Sequence, residues 1–181
     1  MTKKRFQTVL INPSWEEMVT KEPLLAFSFY LSGRNNVLLS ISDEITENLD
    51  KAFSNTHILH HEFIDRASML MWLWTLGAYE IIRTICQAKK CFSSSFIEKA
   101  TELKKLLAIV RMPNAKMEEA GKKKPVNSNR SPDGLDYDNM DLLIGDPENP
   151  ISARKLIGLY DQTMAALTKD DVRQNHSQSY S

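Results

Sequence analysis

The residues of this 181-residue chain best placed to do chemistry are charged side chains set into an apolar helix. Glu80 and Arg83 stand three positions apart in a run that is otherwise apolar, so on a helix they are neighbours able to pair. Charges bordering a buried helix are costly unless paired. With Asp65 and Arg66 earlier in the same segment, they form either an internal network or the lining of a cleft. Internal pairing is the favoured reading. Arg111, Lys116 and Arg154 fall near helix ends, and the stretch from Lys116 to Arg130 adds Lys122, Lys123 and Lys124. Together with Glu80 and Arg83 these are the candidate binding residues, and a phosphate or nucleic acid is the ligand they suit. Against that stand 23 Lys and Arg balanced by 23 Asp and Glu, for zero net charge, and no aromatic residues interleaved with the lysines.

His57, His60, His61, Glu62 and Asp65 form the one histidine cluster. His57 and His61 at i, i+4 could reach one metal from one helix face. The zinc-protease pattern needs Glu after the first His, where Ile58 stands, so solvated or partner-facing histidines are preferred and no metal is assigned. Cys86 and Cys91 lack the two-residue spacing of a zinc or redox pair and read as structural. Aligning Asp136 and Asp138 to a calcium loop puts Met140 at a ligand position and Asp141 at the turn glycine, so a solvated acidic loop is preferred. No Ser-His-acid arrangement, Walker loop or dinucleotide fingerprint occurs, and neither catalytic residues nor a cofactor are assigned.

These residues depend on helices for their placement. From Ser42, read as an N-cap, apolar residues recur at steps of three and four: Ile45, Leu49, Ala52, then Ala67, Leu70, Trp74, Ala78, Ile81 and Ile85. A break near Asn55 divides this long pattern in two. Its second half is apolar around most of its circumference, which marks a helix central to the domain or to an oligomer interface. Trp72 and Trp74 point about 200° apart, so both cannot face one core. Gly77 between them suggests the close approach of another backbone. Trp72, Trp74 and Gly77 are the candidate interface residues.

A further helix is capped at Ser94 or Ser95 and should stop or kink at Pro113. A long loop, residues 117–150, carries one apolar anchor at Leu142–Ile144, and a last helix starts with Ser152 as cap. Residues 1–41 read as an irregular N-terminal segment packed on the bundle, with Phe6–Ile11 strand-like and Ser32–Asn36 a loop. Residues 42–168 form the helical domain and 169–181 a disordered tail. The fold class is therefore mainly α, an up-and-down bundle of about four helices.

A long helix carrying Glu80-x-x-Arg83, a second ending in Arg111-x4-Lys116 and a closing helix resemble the HEPN family of helical bundles over residues 43–168. Many of its members cleave RNA with an Arg and a His separated by four to six residues at the helix end. Lys116 stands where that His belongs and lacks its near-neutral pKa. The resemblance thus implies an RNA- or nucleotide-binding relative, or a degenerate ribonuclease. The longest uncharged run, Ala67–Tyr79, has 13 residues where a membrane span needs about 20. The sequence on its own points to a cytoplasmic, non-catalytic protein acting as a homodimer and with a protein partner; RNA is the second choice, and no membrane is involved.

Overall fold

The computed structural model describes residues 14–16, 24–54, 58–116, 118 and 133–172, with backbone alone for 24–29, 115, 116 and 169. The described chain is mainly helical: four helices and a small three-stranded antiparallel sheet. The helices are α1 (Leu24–Ala52), α2 (His61–Gln87), α3 (Ser94–Lys116) and α4 (Ala153–Ala165). The strands β1 (Gly134–Asp136), β2 (Asp141–Ile144) and β3 (Ile151–Ser152) lie between α3 and α4, with β2 in the middle. The strand-like Phe6–Ile11, the basic residues Lys122–Arg130 and residues 173–181 lie outside the described residues. The disordered tail expected from 169 does not begin there: Lys169–Asp171 form a short 3-10 helix and the buried Val172 pairs with Phe92, which holds this stretch on the domain.

The expected break near Asn55 is present, since α1 ends at Ala52 and α2 starts at His61. The boundary expected at residue 41 is not. α1 runs unbroken through Ser32-Gly33-Arg34-Asn35-Asn36, and the reason is tertiary. Ser32 and Asn35 are buried, and Asn35 Oδ1 accepts a 2.9 Å hydrogen bond from the Tyr160 hydroxyl on α4. Residues with turn-forming character locally are thus held in a helix by a partner 125 positions away. Ser42 is correspondingly no cap: its hydroxyl donates to Leu38 O one turn back, inside the helix.

α1, α2 and α3 are successively antiparallel. Glu44 reaches Arg66 and Leu38 meets Gly77, while Cys86 lies 3.8 Å from Thr101 and Tyr79 lies under Arg111. α2 is therefore the middle helix of this layer, as its apolar circumference implied. The cap of α3 is Ser93, one residue before the expected position, and its hydroxyl accepts from Phe96 N at 3.2 Å. Pro113 does not end the helix. It removes one ladder hydrogen bond close to the C-terminus, and its ring is buried there.

The acidic stretch 133–141, read as a solvated loop, is largely an ordered hairpin. Asp136 accepts from the backbone and side-chain nitrogens of Asn139, closing a turn in which Met140 takes φ 51°. Asp141 is buried, and its carboxylate accepts from Leu142 N, Arg154 N and the Ser152 hydroxyl. One side chain so joins β2, β3 and the start of α4, whose expected cap Ser152 accepts from Lys155 N at 3.0 Å. Trp74, Tyr160, Phe96, Leu107, Leu142 and Ile144 form the centre of the single core beneath the helix layer.

Candidate interaction surface

The two tryptophans settle which side of α2 faces out. Trp74 has no exposed surface and meets Tyr160 edge to face with centroids 5.3 Å apart, so it belongs to the core and not to an interface. Trp72 is 45% exposed, beside Met69 at 64% and Leu73 at 48%. On α1, Val37 (60%) is exposed along the groove between α1 and α2. Single exposed apolar residues are ordinary, but contiguous ones on a middle helix are not.

Gly77 faces the groove between α1 and α2. A Cβ there would lie 2.8 Å from Leu38 Cδ2, so the close neighbour is a side chain and not the backbone expected. Below and around Gly77 the groove encloses about 770 Å³, with an apolar floor of Leu31, Leu38 and Ile81 and a rim carrying Tyr30, Arg34, Glu80 and Arg83. The Arg34 guanidinium stacks on the Tyr30 ring. Glu80 and Arg83 pair across one turn at 2.7 Å, as their spacing required, and both are exposed, so the pair lines a cleft instead of forming an internal network.

The other binding candidates do not assemble with them. Arg111 lies with its guanidinium 4.7 Å from the Tyr79 centroid on the α3 side, half-buried, and its Nε has no hydrogen-bond partner. Arg154 is engaged structurally, with Asp50 at 2.7 Å and Asp141 at 3.9 Å. The side chain of Lys116 lies outside the described residues, as do His57 and the basic stretch. α2 starts at His61 with His60 before it as N-cap, so of the proposed i, i+4 pair only His61 can be placed. Among the described residues no three His, Cys, Asp or Glu side chains are grouped as a metal site requires. Cys91 is buried, and burial pushes its thiol above the ordinary value.

Sequence reasoning missed a second pocket next to Trp72. Ser68, Met69, Trp72, Asn114 and Asp133 surround about 230 Å³. The Ser68 hydroxyl donates to the Asp133 carboxylate, and Asn114 Oδ1 is buried without a partner. Burial pushes the Asp133 carboxyl up, a shift that the Ser68 hydrogen bond opposes. Three elements distant in sequence supply these groups, and no local spacing relates them.

Among the described residues no helix is long and apolar enough to cross a membrane. Comparisons with models of protein families, with curated proteins and with solved structures find no match.

Proposed function

We propose that the protein works by association and not by chemistry of its own, presenting the outer face of α2 to a second copy of itself and, through that assembly, to protein partners. The observation that supports this reading is the exposure of Met69, Trp72 and Leu73 on the middle helix of a layer. A helix in that position has both flanks packed by its neighbours, so apolar residues left on its free face await a further surface. Size-exclusion chromatography with light scattering tests it. A dimer is expected at tens of micromolar, the range in which a micromolar interface is populated, and a monomer at that concentration overturns the reading.

A second reading rests on Arg111, which makes no ion pair with any described residue and stacks on Tyr79. An available guanidinium beside an aromatic ring suits a nucleotide, in keeping with the HEPN resemblance. Binding of single-stranded RNA that weakens steeply with salt and is lost in Arg111→Ala is the expected result, and binding indifferent to both removes this reading.

A further inference from the structure

The exposed face of α2 has a spacing of its own. Asp65, Met69, Trp72, Leu76, Tyr79 and Arg83 follow one another at steps of four, three, four, three and four residues. That is the repeat by which two helices keep a seam in contact. At about 100° per residue all six lie within roughly 40° of one line along the helix. Met69, Trp72 and the two charged ends are exposed, while Leu76 and Tyr79 are half-buried between the flanking helices.

The ends of the stripe carry opposite charges about 27 Å apart at 1.5 Å per residue. Asp65 has no ion-pair partner among the described residues, and Arg83 is paired only with Glu80 of its own helix. The stripe is also complementary to its own reverse. Turned end for end about position 74, it sets acid against base, Met69 against Tyr79 and Trp72 against Leu76. A thioether beside an aromatic ring and an indole on a leucine are both favourable contacts.

We propose that a second copy of the chain packs on α2 in the antiparallel sense, about a two-fold axis level with residue 74. Asp65 then faces Arg83 of the partner subunit in two equivalent bridges. A two-fold interface requires this reciprocity, in which residue i meets j and j meets i. The parallel alternative sets Asp65 against Asp65 and Arg83 against Arg83, like charges at both ends, and is disfavoured. The inference rests on the self-association reading and adds to it the orientation and register.

Charge reversal tests it. Asp65→Arg and Arg83→Asp are each expected to weaken the dimer by about tenfold or more, because each places two like-charge contacts at the interface. Mixing the two variants restores both bridges, so the mixture is expected to dimerise as the natural chain does, measured by sedimentation equilibrium. If the natural chain dimerises and neither variant changes its affinity, or the mixture stays as weak as its components, the antiparallel register is overturned while self-association stands. A natural chain that is monomeric overturns the self-association reading itself. Thermal unfolding of each variant separates lost association from lost folding, since both positions are exposed.

Discussion

Trp72 and Trp74 are two positions apart on one helix, and truncating each should damage a different property. Trp74 is fully buried against Tyr160, so Trp74→Ala leaves a cavity in the core. Large aromatic-to-alanine changes of this kind cost about 3–5 kcal/mol. The lower half of that range applies here, because the indole Nε1 is buried without a partner and its removal relieves that cost. At roughly 2–4 °C per kcal/mol for a chain of this size, Tm falls by about 10 °C. Trp72, by contrast, keeps 45% of its surface exposed. An enclosed tryptophan buries roughly 150–250 Å², so about 100 Å² is left for a partner to cover. At about 25 cal/mol per Å² that is about 2.5 kcal/mol for each protomer, or about 5 kcal/mol for a two-fold dimer. Trp72→Ala should therefore raise the dimer Kd more than about a thousandfold, while costing the isolated chain only about 1–2 kcal/mol. Stability is measured by urea titration below the dissociation constant, where association does not contribute, and affinity by sedimentation equilibrium. The reasoning is refuted if Trp74→Ala keeps its stability within about 1 kcal/mol of the natural chain. It is equally refuted if Trp72→Ala unfolds the chain as severely as Trp74→Ala and leaves dimerisation unchanged.

Two further outcomes test how the elements are held together. Burial keeps the Tyr160 phenol protonated and donating to Asn35 Oδ1, so Tyr160→Phe should strand that acceptor and cost about 1–3 kcal/mol in urea titration. Adding Asn35→Ala should then cost less than the two single changes predict, and strict additivity would show that the pair does not interact. Asp171→Ala should lose about 1–2 kcal/mol at neutral pH, because its carboxylate accepts from Ser93 and from the backbone and hydroxyl of Thr168. Partial burial raises that carboxyl, but these hydrogen bonds and the charge of Lys99 outweigh it and hold the carboxyl below the ordinary 3.8. A depressed carboxyl stabilises the fold fully above the ordinary value and loses its contribution as pH falls through the folded one. The gap between natural and variant chains should therefore be constant near neutrality and close below about pH 4, and a gap unchanged into strong acid refutes the assignment.

The parts of the fold that were legible in the sequence are those decided by neighbours along the chain. The inward row Ala67, Leu70, Trp74, Ala78, Ile81 and Ile85 is buried as its periodicity required, and Ser152 caps α4 as its position before Ala153 required. The expectations that fell were decided by partners far along the chain. Ser32–Asn36 has the composition of a loop, and nothing within ten residues reveals that Tyr160 will bind Asn35 in a helix. Asp141 reads as one more acid in a solvated run until Ser152 and Arg154 close around it. Pro113 ends a helix by local rules, yet here it lies in the last turn of α3 with its ring buried, where only one ladder hydrogen bond is lost.

The candidate interface shows the same division more sharply. α2 carries two stripes of identical spacing, Ala67, Met71, Trp74, Ala78, Ile81 and Ile85 against Asp65, Met69, Trp72, Leu76, Tyr79 and Arg83, offset by two residues and so by about 200°. Periodicity alone gives both equal standing, which is why Trp72 and Trp74 were both interface candidates. What separates them is the cost of burying charge: a stripe with Asp65 and Arg83 at its ends is expensive inside a core and less so where, in the proposed dimer, a reversed copy supplies the opposite charge. The inward stripe has no charged member and is buried throughout. The same two ionised ends that exclude the outer stripe from the chain's own core set, in the proposed dimer, the direction in which the second chain lies on it.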